Sequence, residues 1–305
     1  EHVTNPLTPV GDGLSPKELF DRESKLIANA DCIVADVTLP SWGTAFLMEH
    51  ALSVGKPVLA LFYKEAATPL PFMIAGHPDL YVAHYSKGNV RTVLKKNMDY
   101  FVSMAKRKGK LVVIDGTDGS GKGTQTELLL KYLDSNNIRN KYIDFPRYYT
   151  SFHGQMVGRY LAGEFGSLES SSPYLTSLFY AMDRLTARDE IVDWLEDGNT
   201  VVANRYTTSS MAFQTARIEK DKRDEFIKWL YDMEYKEHKL PKEDLVLFLY
   251  VPVEISQKLI DQKASRDYVA GKKKDINEAN VAYQKEVLSL YLELAKKNKH
   301  WEVIK

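Results

Sequence analysis

The sequence predicts an α/β protein of two domains, each a parallel sheet flanked by helices. Three observations predict it. Short apolar runs at residues 32–37, 58–62 and 111–115 alternate with longer stretches of helical spacing, the pattern of strands joined by helical crossovers. At 305 residues the chain is long for one core. A basic run of small residues, 103–110, separates two such series.

Taken in order, Ser15-Pro16-Lys17-Glu18 is a capping box with proline at the first helical position, and Leu19, Leu26 and Ile27 continue a helix over about 16–30. The strand at 32–37 follows, then a turn at Pro40-Ser41-Trp42-Gly43, a helix through Leu52 and a second strand at 58–62. The first domain is expected over 1–104, a solvated basic linker over 105–110, and a second α/β domain over 111–305. That domain has strands near 111–115, 141–145, 200–204, 245–251 and 301–304. Neither internal repeat nor low-complexity tract interrupts the pattern. Glu1-His2-Val3-Thr4 lacks an initiator methionine and Trp301-Glu302-Val303-Ile304-Lys305 reads as a strand with nothing after it, so both ends read as cut.

Composition narrows the partners. Hydrophobic residues at 44% suffice for two cores, and 41 Lys plus Arg against 41 Asp plus Glu leave no cationic excess for tracking a nucleic acid. Any anion site must be local. The single cysteine, Cys32, can form no internal disulfide, offers no metal-ligand spacing and reads as a small core residue. This fits a reducing, cytoplasmic setting, although the start of the chain leaves a targeting peptide open. No run of about 18 apolar residues exists, so no membrane partner is expected.

The strongest motif is Gly116-Thr117-Asp118-Gly119-Ser120-Gly121-Lys122-Gly123-Thr124, between an apolar strand and a helix beginning near Lys122. Its spacing and context are those of a P-loop. Glycines let successive backbone N–H groups turn toward one anion, the helix N-terminus adds partial positive charge, and the lysine neutralises the outer phosphates. Gly116, Gly119, Ser120, Gly121, Lys122, Gly123 and Thr124 are the expected phosphate cradle. The position after the lysine, where a magnesium-binding hydroxyl commonly stands, is Gly123, and the hydroxyl comes one residue later at Thr124. Magnesium then relies mainly on phosphate oxygens and water.

Further motifs agree with one another in order and spacing over 109–305, and together they resemble thymidylate kinase. Phe145-Pro146-Arg147 resembles that family's phosphate-clamping segment, and Leu178-Phe179-Tyr180-Ala181-Met182-Asp183-Arg184 resembles its base-binding helix. Asn204-Arg205-Tyr206-Thr207-Thr208-Ser209-Ser210-Met211-Ala212-Phe213-Gln214 is similar to its DRYxxSxxAYQ segment, with Asn204 in place of the aspartate. The segment 240–249 resembles its entry to the fourth strand, and 263–276 its lid. The resemblance implies a nucleoside-monophosphate kinase fold, transfer of the ATP γ-phosphate to dTMP giving dTDP, magnesium as cofactor, and a homodimer. It also implies roles: Asp118 beside the acceptor sugar, Arg147 and Arg205 on the monophosphate, Tyr180 stacked on thymine, Arg184 on base and phosphate, Ser210 at the thymine edge, Phe213 crowding the sugar 2′ position. Lys122, Arg147, Arg205 and the lid residues Lys263 and Arg266 then carry the transition-state charge.

The first domain, in Ala30-Asp31-Cys32-Ile33-Val34-Ala35-Asp36-Val37 and Pro40-Ser41-Trp42-Gly43-Thr44-Ala45-Phe46, resembles the nucleoside 2-deoxyribosyltransferase superfamily and its deoxynucleoside 5′-phosphate N-hydrolases. That resemblance implies a Rossmann-like fold whose first strand and phosphate loop would precede Glu1. The family's reactive glutamate falls on Leu47, its auxiliary aspartate on Glu23, and a serine near the phosphate on Pro71, while Ser41 is kept as a phosphate contact. Glu49 lies two helical residues from Leu47, about 200° around the axis, and so points elsewhere. The expectation is a domain that binds nucleotide, regulates or dimerises without cleaving glycosidic bonds. An active hydrolase is the alternative for this domain, and a nucleotide sensor without turnover the alternative for the whole chain.

Overall fold

The capping box forms as its sequence requires. Ser15 N donates to Glu18 Oε2 at 2.8 Å and Glu18 N to Ser15 Oγ at 3.3 Å, opening helix α1, Pro16–Asn29. In this computed structural model, residues 13–77, 79–262, 277–278 and 280–305 are described, and the chain divides into two units, Glu1–Arg107 and Lys108–Lys305.

In the first unit α1 is followed by β1 (Ile33–Asp36), α2 (Trp42–Ser53), β2 (Val58–Tyr63), α3 (Phe72–Ala75), β3 (Tyr81–Tyr85) and α4 (Val90–Lys106). The three strands are parallel in the order β1-β2-β3. Central β2 shows why an all-apolar strand needs cover on both faces. Val58, Ala60 and Phe62 pack with Ile27, Met48 and Ala51 on one side, while Leu59 and Leu61 pack with Ala83 and Phe101 on the other. Cys32 lies half-buried at the margin of the second cluster. The turn expected at 40–43 is already helix from Trp42, because the Ser41 hydroxyl accepts from Thr44 N at 3.2 Å and caps α2. Nor is 105–110 an open linker: α4 runs to Lys106 and the next strand begins at Lys110. Lys106 closes α4 and Lys110 opens β4, so only residues 107–109, with Arg107 and Lys108, lie between the two elements.

The second unit runs β4 (Lys110–Asp115), α5 (Lys122–Ser135), β5 (Asn140–Asp144), α6 (Phe152–Leu161), α7 (Pro173–Leu185), α8 (Arg188–Glu196), β6 (Thr200–Asn204) and α9 (Thr207–Phe213). It continues with α10 (Arg223–Tyr231), β7 (Leu245–Leu249), α11 (Val253–Gln262), α12 (Val281–Lys297) and β8 (Trp301–Ile304). All five strands are parallel, in the order β5-β6-β4-β7-β8. The chain leaves β4 toward β5 on one side and later crosses to β7 on the other, so β4 stands at a topological switch point. A crevice opens outside the carboxyl ends of the strands at such a point. Helices cover both faces of the sheet, with Leu111, Val113, Val201, Ala203, Val246 and Phe248 at the centre of the main core. Among the described residues no helix is long and apolar enough to cross a membrane.

Candidate active site

β4 ends in Asp115, fully buried, and the sequence provides four donors for its carboxylate. Gly116 N donates at 2.9 Å, Thr208 Oγ1 at 2.5 Å, Ser209 Oγ at 2.7 Å and the Tyr291 hydroxyl at 2.7 Å. A buried carboxylate is tolerated when it is hydrogen-bonded this fully. The bonds tie the start of the phosphate loop to α9 and α12.

The loop then turns through Gly119 (φ 77°) and Gly121 (φ 85°) in the left-handed region. A Cβ on Gly119 would meet Ser256 O at 2.4 Å, so close backbone approach demands glycine there; at Gly121 and Gly123 nothing lies within 4 Å, so the loop is open on that side. Lys122, the first residue of α5, reaches back across the loop, its Nζ donating to Gly116 O at 3.1 Å and Thr117 O at 2.8 Å. Ser120 is only 6% exposed, yet its Oγ has no hydrogen-bond partner. Leaving such an atom unsatisfied costs about 1–3 kcal/mol, which an anion or a cation-bound oxygen in the crevice would offset.

The crevice is a cavity of about 440 Å³. The phosphate loop, through Thr124, forms one wall, and Tyr180, Arg184, Arg205, Ser210 and Phe213 line the other. Arg205 follows β6 with φ 64°, a left-handed conformation costly for an arginine and of the kind found at functional sites. Its guanidinium pairs with Asp118, donates to Ser209 Oγ at 3.2 Å and lies 5.1 Å from the Phe213 ring centre. Burial works against that charge, but Asp118, then Tyr291 and Asp115, more than offset it and raise its pKa. Asp118 also accepts from Gln284 Nε2 at 3.1 Å.

Arg184 is 2% exposed and paired with Glu234, itself 1% exposed, its Nε donating to Glu234 Oε2 at 3.0 Å. It further donates to Ser210 Oγ at 2.8 Å and Tyr206 O at 3.3 Å. Four of the five guanidinium hydrogens are thereby engaged, and one remains for the cavity that Arg184 lines. Burial opposes its charge, and Glu234 overcomes that opposition and raises the pKa. Glu234 comes from a π-helical turn, Asp232–Glu237, that extends α10.

Arg147 departs from expectation. Instead of reaching the cavity, its Nε donates to Asp183 Oδ1 at 3.1 Å, and a terminal nitrogen donates to Asp183 O at 2.7 Å and Thr186 Oγ1 at 2.5 Å. The residues of this segment that line the cavity are Pro146, Tyr148 and Tyr149. Two tyrosines directly after a predicted phosphate arginine were the available signal. Lys263 and Arg266 lie outside the described residues.

The C-terminal ends of β5 and β6 add a carboxylate that the motifs do not announce. Asp144, exposed on the open cavity wall, has its pKa raised to about 6 because the surrounding protein displaces part of its water, against the opposing pull of Arg205 and Lys122. Asn204 sits opposite it in register, and its Oδ1 is buried without a hydrogen-bond partner. Among the described residues no group of three or more His, Cys, Asp or Glu side chains could hold a metal by itself.

A P-loop at a switch point, facing a second wall of arginines and aromatic rings across one cavity, defines the class as a P-loop nucleoside-monophosphate kinase. The thymidylate kinase family model matches residues 114–305, more than half of the chain, and the chain belongs to the thymidylate kinase family. Among its relatives, a thymidylate kinase of Plasmodium falciparum is 33% identical over 156 residues, covering 51% of this chain and 68% of the relative. One of Mycobacterium tuberculosis is 30% identical over 185 residues, 61% of this chain and 85% of its own. A solved thymidylate kinase of Candida albicans aligns over 65% of this chain and 83% of its own, with 24% identity and a TM-score of 0.49.

Proposed function

We propose that the second unit transfers the γ-phosphoryl group of ATP to dTMP, giving ADP and dTDP. The observation that carries this reading is the single cavity shared by the phosphate loop and the Tyr180, Arg184, Arg205, Ser210 and Phe213 wall. The loop amides and Lys122 hold the triphosphate, with Lys122 exchanging its two carbonyl partners for phosphate oxygens. Arg205, kept charged by Asp118, faces the acceptor phosphate, and Arg184 and Ser210 meet the edge of the base while Tyr180 offers it a ring. Phe213 fills the space where a ribose hydroxyl would project. Phosphoryl transfer needs no protein nucleophile, only in-line alignment and neutralised charge. The residues fit magnesium through their oxygen chemistry: the Thr124 hydroxyl lines the cavity, and Ser120 Oγ and Asn204 Oδ1 lack partners. Magnesium supplies screening of the β- and γ-phosphate oxygens when bound. Arg147 acts at one remove, by holding Asp183 and so the position of Tyr148.

ADP release coupled to NADH oxidation, with dTMP, dUMP, UMP, dCMP and AMP as acceptors, tests the reading. The expected outcome is turnover with dTMP well ahead of the others. A preference for UMP over dTMP would refute the role given to Phe213, and no turnover with any acceptor would refute the kinase assignment.

The first unit we read as a deoxyribosyltransferase-like domain that binds nucleotide, regulates or dimerises without cleaving glycosidic bonds. Leu47 packs against the apolar cluster of α2 and β2, whereas the Glu49 side chain is 69% exposed and pairs with His77. Glu23 is buried beside Arg22, and the Ser41 hydroxyl caps α2. No carboxylate on this helix is therefore aimed as a glycosidic nucleophile would be. Incubation with deoxynucleoside 5′-monophosphates should release no free base by chromatography. Release abolished by Glu23→Gln or Glu49→Gln would establish the hydrolase instead.

A further inference from the structure

β5 and β6 pair in parallel with Asp144 directly opposite Asn204, each the last residue of its strand. Residues in register lie on the same face of a sheet, and both line the cavity with Ser120, Lys122 and Thr124. The Asp144 carboxylate lies within electrostatic reach of Arg205 and Lys122, the two cations that the kinase reading assigns to phosphate. A carboxylate in this place would repel the triphosphate it meets unless a cation stood between them.

The neighbouring atoms are suited to such a cation. Asn204, opposite Asp144 in register, keeps Oδ1 buried and unpartnered. Ser120 Oγ is equally buried and unpartnered, on the loop facing this pair. Carboxylate, carbonyl and hydroxyl oxygens are hard donors, which select a small divalent cation over a softer metal. Of the other acidic residues that line the cavity, Asp118 is held by Arg205 and Gln284, and Glu278 is 1% exposed.

On the basis of the kinase reading, we infer that Asp144 and Asn204, paired across β5 and β6, are the protein's own grip on the divalent cation that accompanies the triphosphate. Asp144 supplies the charge and Asn204 the neutral oxygen. Two strand ends then share work that one acidic residue at the end of β6 could have done, and Gly123, which offers no hydroxyl, leaves that work to them.

The test is calorimetric titration of the full chain with ATP, once with magnesium and once with EDTA. Wild type should bind ATP more tightly with magnesium. In Asp144→Asn the magnesium advantage should shrink on the order of 10–100-fold, while metal-free ATP binds as well as before or better, because a repelling charge has gone. A structural lesion would instead weaken both, and this outcome, or an unchanged ratio, overturns the inference. Should Asp144→Asn not fold, the exchange variant Asp144→Asn with Asn204→Asp moves the charge one strand across. It should restore the magnesium advantage, and failure to do so overturns the inference. Wild type that binds no ATP in either buffer would refute the kinase reading itself, a result distinct from ATP binding without a magnesium effect.

Discussion

His238 shows how a single half-buried group makes stability depend on pH. Burial lowers its pKa from 6.5, and Arg184 and Arg188 lower it further against the opposing influence of Glu234. Its Nδ1 is buried without a hydrogen-bond partner. The folded chain therefore binds this proton less readily than the unfolded chain. Above the unfolded value of 6.5 neither form carries it and there is no penalty; as pH falls below 6.5 the unfolded chain takes up the proton first and stability declines. His238→Gln should flatten that decline in urea melts taken at successive pH values, whereas an unaltered slope would show that His238 is not its source. Gly119 is constrained by its backbone and by its neighbour at once. Alanine there would combine a left-handed backbone with a Cβ 2.4 Å from Ser256 O, so Gly119→Ala should cost more than the 1–2 kcal/mol of the backbone term alone. A shift of the urea midpoint smaller than that would mean the loop can move away from α11.

At the scale of elements, the π-helical turn Asp232–Glu237 is the feature that sets the position of Arg184. π-helical turns insert an extra residue per turn and often mark functional sites; here the turn delivers Glu234 to a guanidinium with almost no access to water. Removing one partner of a buried pair leaves the other charge uncompensated, at about 3–5 kcal/mol. Glu234→Ala should lose stability on that order, and Glu234→Met combined with Arg184→Met should recover much of it while the KM for dTMP stays high. Recovery of dTMP binding in the double variant would remove Arg184 from the site. None of this turn is legible in the sequence, because a π-register differs from an α-register by one residue and leaves the apolar spacing almost unchanged. The strands were legible where they are continuous apolar runs, as at 58–63, 110–115 and 200–204, since a strand covered on both faces must be apolar throughout. β3 was not: Tyr81-Val82-Ala83-His84-Tyr85 is aromatic and polar, with one fully buried residue. The site divides in the same way. Glycines and a lysine at fixed offsets announce the phosphate loop, whereas Tyr180, Arg184, Arg205, Ser210 and Phe213 are marked only through the resemblance of their segments to thymidylate kinase. The direction of Arg147 depends on Asp183, 36 residues away, and Asp144 acquires meaning only once β5 lies beside β6.

At the scale of the whole molecule, each unit carries its own core. The clusters around β2 are built from residues 27 to 101, and those around β4 from residues 111 to 301. The cavity is lined wholly by residues between Asp118 and Glu278. A domain with its own core and its own site should fold and act alone. A chain beginning at Lys108 is therefore expected to keep kcat/KM for dTMP within a factor of about two of the full chain, since no lining group is lost. A tenfold fall would mean that the first unit contributes to turnover. The first unit's proposed role predicts a different loss. If it binds a deoxynucleotide and regulates, then a deoxynucleoside monophosphate that is a poor acceptor should alter the rate of the full chain and leave the fragment unaffected. Equal responses from both would place any such effect at the kinase cavity, because a ligand can shift only an equilibrium whose states it binds unequally, and the fragment has no other unit to bind it.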